Sequence, residues 1–290
     1  MVRFVTLFLD VFMLFNFCYC QSPVKRPVQC NCTEKVVQDS LIDKYITKGA
    51  EMTDYNTQAW QLYCDSLITI CPNIAVAYQH KAIPFIKFGD YAKAFPLEDK
   101  AVKLDPRTWT SYRGFLKCIF TKDYGGAILD FKNAQLLNPN GYEMDHTYLF
   151  YQGLCNLELG NYTEAESDLK QDIVIETNAN PSLESRIHFN TLLYLGILYY
   201  ELNDISKAKD YLRKVVTRYN NHPDANYYLA MVYKKENNIN LQIQYLNLAK
   251  ESKLKGYGFG EDNVYYVYYP HQITLYEINQ EIEESAKLHR

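Results

Sequence analysis

Eight cysteines and six histidines are the residues of this chain best equipped for chemistry, and their spacing limits what that chemistry is. Cys18 and Cys20 end an apolar N-terminal run, and six cysteines follow. Cys64 and Cys71 are seven apart on a predicted helix, which puts them on one face about 10 Å from each other. That is too far for a disulfide between them. Each can instead reach the Cys30-Asn-Cys32 pair upstream, so the spacing predicts an N-terminus stapled by Cys30 and Cys32 to Cys64 and Cys71 in an oxidising compartment. The alternative is four free or metal-binding thiols, for which a Cys-x-Cys without a matching second pair is a poor zinc pattern. Cys118 and Cys155 fall at equivalent places on two predicted helices and read as buried thiols that pack as small apolar groups. His80, His146, His188, His222 and His271 are scattered, with no two at helical metal-binding spacing. No Gly-x-Ser-x-Gly elbow or phosphate-binding glycine loop is present. The glycines of Gly256-Tyr-Gly-Phe-Gly260 lack the spacing of a dinucleotide fingerprint. The sequence therefore predicts no catalytic set, metal site or cofactor, and points to binding.

Aromatic surface is what remains, carried by 27 tyrosines. Where it points depends on the helices. In residues 149–169, Leu149, Gly153, Asn156 and Leu157 share one helical face, Gly160-Asn161 breaks the helix, and Tyr162, Ala165 and Leu169 open a second. The turn and second helix return as Gly89-Asp90-Tyr91 with Ala94, Asp123-Tyr124 with Ala127, Asn203-Asp204-Ile205 with Ala208, and Asn237-Asn238-Ile239 with Gln242. Successive markers are 33, 38, 43 and 34 residues apart. Asp105-Pro106 and Asn138-Pro139 close second helices.

With its small residue, aromatic, Ala and terminal Pro, this pattern resembles the tetratricopeptide repeat family over about residues 40–255. The resemblance implies an all-α, right-handed α-solenoid of stacked helical hairpins whose first helices line a concave groove for a protein or extended peptide. Carried over by repeat position, the groove residues include Gln79, Arg113, Lys117, Phe150, Tyr151, Tyr194, Tyr227 and Tyr228. Arg113 and Lys117 come from a unit read as starting at Trp109. The Asn partners of a carboxylate clamp are absent, so the implied groove is tyrosine and aliphatic surface suited to an extended peptide or a partner helix. The other reading of Tyr151, Tyr194, Tyr227 and Tyr228 is packing between neighbouring repeats.

Residues 1–20, with Arg3 ahead of an apolar run, read as a signal peptide, which predicts a periplasmic, envelope or secreted protein. The alternative is lipid attachment at Cys18 or Cys20, giving a membrane-anchored accessory of an envelope complex. A net charge of −4 and a pI near 5.9 supply no basic stripe for nucleic acid. Residues 21–35 read as an extended leader, 36–255 as the repeat array with a degenerate first hairpin, and 256–290 as a flexible glycine turn followed by a capping helix. In that tail Tyr265, Tyr266, Tyr268 and Tyr269 lie in an extended stretch. Ile273, Tyr276 and Ile282 form the apolar stripe, with Glu277, Glu281, Glu283 and Glu284 outward. Asn31-Cys-Thr33 and Asn161-Tyr-Thr163 match the N-glycosylation acceptor pattern.

Overall fold

The computed structural model describes residues 32–139, 141–260 and 267–287. Residues 1–20, read as a signal peptide, with Cys30, Asn31, Tyr265 and Tyr266, lie outside them. Among the described residues, α1 (Lys35–Ile42) runs into a π-helical turn, and α2 (Gln58–Ile70) packs back on it. Five hairpins follow: α3 (Ala75–Lys87) with α4 (Tyr91–Leu104), α5 (Pro106–Phe115) with α6 (Tyr124–Leu137), and α7 (Tyr148–Glu158) with α8 (Tyr162–Thr177). The last two are α9 (Phe189–Glu201) with α10 (Ile205–Arg218), and α11 (Pro223–Lys235) with α12 (Ile239–Leu254). Each second helix also packs on the first helix of the next hairpin, which makes the array an α-solenoid. α13 (Leu275–Lys287) closes it.

Local chemistry explains the hairpins. The residue before each second-helix N-cap is left-handed: Gly89, Lys122, Gly160, Asn203 and Asn237 have φ of 75, 58, 73, 58 and 57°. Gly and Asn tolerate that region; Lys122 is the exception. Asp90, Asp123, Asp204 and Asn238 then accept the N–H of the residue three positions on, satisfying an otherwise orphaned helix donor. Asn161 does not cap in this way; its amide donates to Asn156 Oδ1 at 3.2 Å. Where the two helices of a hairpin meet, a Cβ on Gly153 would lie 2.7 Å from Leu169 Cγ. Leu154, Leu169 and Leu192 are buried at this core, each burial stabilising by about 2 kcal/mol.

Gly114 meets Asp130 and Phe131 of α6 as Gly153 meets Leu169 of α8, so the two glycines are equivalent. This corrects the register of the second unit: α5 starts at Pro106 directly after α4, not near Trp109. The distance from Gly114 to Ala127 exceeds that from Gly153 to Ala165 by one residue, and the π-helical turn Leu116–Thr121 absorbs the surplus. A short antiparallel ribbon, β1 (Tyr142–Glu143) and β2 (His146–Thr147), joins α6 to α7 where no strand was expected.

The N-terminal staple takes one of the pairings that the spacing left open. Cys32 and Cys71 form a disulfide across 39 residues. Cys64 has no disulfide among the described residues. It is buried with Ile46, Trp60 and Leu67, and burial pushes its thiol up to about 12. Cys118 and Cys155 are buried thiols on adjacent first helices. The cap also turns differently: α13 buries Ile278 and Ser285, while Tyr276 is 68% exposed. Glu281 is not a free outward charge but pairs with Lys234 at 2.6 Å, and Glu277 accepts from the Thr274 N–H at 2.8 Å.

Candidate partner-binding groove

The face formed by α7, α9 and α11 is built from the start of each helix. Thr147 caps α7 by accepting the Phe150 N–H, and its hydroxyl donates to Asp172 Oδ1 at 2.7 Å. Thr191 on α9 donates to Asp172 Oδ2 at 2.7 Å, so one buried carboxylate ties the two first helices together. His146 and His222 stand at the starts of α7 and α11, and burial lowers both to about 3, leaving them neutral.

This face is occupied. The chain leaves α12 through Gly256 and Gly258, both at positive φ, and residues 267–274 return across the first helices. Lys122 Nζ donates to the Tyr268 carbonyl. The Tyr194 hydroxyl donates to the Pro270 carbonyl at 2.8 Å and the Tyr228 hydroxyl to the His271 carbonyl at 3.2 Å. In the other sense, the His271 N–H donates to Glu158 Oε1 at 3.1 Å and the Ile273 N–H to Asp224 Oδ1 at 2.6 Å. Phe259 stacks on Tyr269 with centroids 4.9 Å apart and touches His222 with its edge. Val267, Pro270 and Ile273 are buried. The stretch expected to be extended up to Pro270 is thus gripped through its main chain, and it bends on the way: residues 270–271 form a turn in which the Gln272 N–H donates to the Tyr269 carbonyl at 3.1 Å and His271 has a left-handed φ of 54°. Burial raises the pKa of Tyr194, Tyr228 and Asp224, so both tyrosines keep the proton that they donate.

The residues read from sequence separate into three groups. Tyr194 and Tyr228 reach the segment, and Phe150 supports Tyr194 edge-on at 5.6 Å. Tyr151 stacks on Phe131 of α6 at 5.0 Å, its hydroxyl on the Glu143 carbonyl, and so packs between repeats. Gln79 is buried on α3, and Tyr227 is half-buried with its edge on Tyr228. Arg113 and Lys117 are not groove cations. Arg113 holds both oxygens of buried Asp130 at 2.6 and 2.9 Å and Asp99 at 2.7 Å, and Lys117 lies 2.8 Å from Asp130. The physical reason is the corrected register, which turns both toward the second helices. Lys122 and Glu158 were missed as contacts. The signal for Lys122 was a lysine at a turn position that elsewhere holds Gly or Asn.

A model of the tetratricopeptide repeat family matches residues 190–222, which span α9 and α10. No curated protein matches the chain. Among solved structures, PilW, a widely conserved type IV pilus biogenesis factor, is 15% identical, with 79% of this chain and 97% of that chain covered at a TM-score of 0.58. PilF of Pseudomonas aeruginosa is 18% identical, covering 74% and 92% at 0.56. The APC/C hetero-tetramer Cut9–Hcn1 is 14% identical, covering 86% and 45% at 0.56. At these identities the likeness establishes the fold.

Proposed function

We propose, from the premise that this chain is a tetratricopeptide-repeat protein, that it is an exported, non-catalytic scaffold that binds an extended segment of a partner protein on the face of α7, α9 and α11. The observation that carries this reading is the grip on residues 267–274: five side chains, one or two from each of four hairpins, hold three carbonyls and two N–H groups of a single stretch of chain. Such a surface recognises polypeptide as polypeptide, and alternate pockets supply selectivity. Tyr194, Tyr228, Glu158, Asp224 and Lys122 make the contacts in this reading. Phe150, Tyr151 and Tyr227 shape the wall, and Arg113, Lys117 and Gln79 brace the stack.

Export rests on the signal-like residues 1–20, and the Cys32–Cys71 disulfide suits an oxidising compartment. An assembly role outside the cytoplasm is in keeping with the fold shared with PilW, a pilus biogenesis factor. The test is photocrosslinking in the native host's envelope, with a photoreactive residue replacing either half-buried Tyr200 on α9 or Leu136, 82% exposed on α6. A protein partner crosslinked from position 200 and not from 136 supports the reading. Crosslinking from 136 alone, or from neither, rejects the groove as the site.

A further inference from the structure

The proposed groove already holds a ligand, and that ligand is part of the same chain. We infer that residues 267–274 are a displaceable strap, a ligand in cis, and that the partner segment replacing it has the same make-up: an aromatic residue, then Pro, then a branched aliphatic three positions on. This rests on the reading above and adds what the partner looks like and what stands in its way.

The five hydrogen bonds from the wall go to the main chain of the strap, so they are indifferent to most of its side chains. Only certain positions are constrained. At Pro270 the wall takes the carbonyl, so a residue without an N–H fits there. The N–H of the preceding Tyr269 is satisfied inside the strap by Gln272 Oε1 at 2.8 Å. Pro270 and Ile273 are buried, while Tyr268 is 44% exposed and carries little information.

The strap also fits less completely than a partner could. Asp224 Oδ2 and His271 Nε2 are buried with no hydrogen-bond partner among the described residues. His271 Nε2 lies 3.6 Å from Glu158 Oε1, beyond hydrogen-bond length. An Arg or Lys in place of His271 would bring a permanent charge to Glu158, and such a charge-assisted contact exceeds a neutral one. A partner with aromatic-Pro-Arg/Lys-x-aliphatic therefore outcompetes the strap. Competition is needed because tethering gives the strap an effective concentration of about millimolar.

The probe is a fluorescent synthetic peptide of residues 267–274, titrated into the full chain. The double variant Val267→Ala, Ile273→Ala weakens the strap and leaves the wall intact. It is expected to bind the peptide at least about tenfold more tightly than the parent. A peptide with Arg at position 271 should bind about tenfold more tightly again. Adding Tyr194→Phe and Tyr228→Phe should abolish both gains. Equal binding by parent and strap variant overturns the inference.

Should the variant fail to fold, hydrogen exchange of the parent decides. The His271 and Ile273 amides are expected to exchange by local opening, well before those of α9. Exchange only together with α9 means the strap never leaves, and the inference is wrong. The two readings fail separately: crosslinks at position 200 with no peptide competition remove the strap alone, and peptide competition with crosslinks only at 136 removes the proposed function alone.

Discussion

The α5–α6 and α7–α8 hairpins occupy neighbouring places in the same stack, yet they solve one problem in opposite ways. Each second helix carries a buried aspartate that must be satisfied. Asp172 on α8 is held by two neutral hydroxyls from α7 and α9. Asp130 on α6 is held by two cations, Arg113 and Lys117, from its own first helix. Arg113 precedes the π-helical turn and Lys117 lies within it, and beyond the turn Lys122 reaches the groove. The same first helix thus carries bracing cations on one side and ends in a contact to residue 268.

The largest effect should come from removing the two aspartates. Asp130→Ala strands two cations against a buried site and is expected to cost about 3–5 kcal/mol in urea denaturation. Asp172→Ala strands only hydroxyls and should cost about 1–3 kcal/mol. Equal losses would erase the distinction between the hairpins.

Glu98 on α4 sharpens the comparison through pH. It is fully buried, neither carboxyl oxygen has a hydrogen-bond partner among the described residues, and burial raises it to about 8 against the opposing pull of Arg113. Because the folded pKa is above the unfolded one, the folded state binds the proton more tightly. Stability from this group is therefore complete below about pH 4.5 and is lost as pH rises through about 8. Glu98→Gln should flatten the fall in stability between pH 5 and 8 by on the order of 3 kcal/mol, measured by denaturation at each pH. An unchanged slope would show that Glu98 ionises normally.

The helix crossings should differ more modestly. In Gly153→Ala the new Cβ meets Leu169 Cγ at 2.7 Å, and the clash is expected to outweigh the gain in helix propensity by about 1–2 kcal/mol. In Gly114→Ala the contact is Asp130 Cβ at 3.2 Å, and the two terms should nearly cancel. Thermal unfolding of both variants checks the order. The smallest change in stability is expected for Lys122→Gly, within about 1 kcal/mol, because relief of the left-handed backbone offsets the lost contact. The same variant should nonetheless speed exchange of the His271 amide several-fold, whereas a silent exchange profile would detach the π-helical turn from the strap.

Much of this was legible in the residues. The turns Gly89-Asp90, Asn203-Asp204 and Asn237-Asn238 announce left-handed backbone followed by a cap, and both properties belong to a few adjacent residues. Small residues at Gly153 and Ala165 likewise mark a crossing. The candidate site was harder to read. Tyr194 and Tyr228 emerged from repeat position, but Arg113 and Lys117 were assigned to the wrong face. A π-helical turn leaves the helical pattern nearly unchanged while rotating everything beyond it. The strap was hidden because its contacts join residues 43 to 146 positions apart, for which a single sequence holds no local signal.

The sequence by itself determined the array: how many hairpins and where each turns, since these follow from backbone preferences and hydrophobic period over short windows. The tertiary structure alone decided which cysteine joins Cys32, which side of α13 packs, and that the tyrosine face is filled by residues 267–274. Each of those outcomes is a competition between distant surfaces for the same burial, and it is settled only when the surfaces meet.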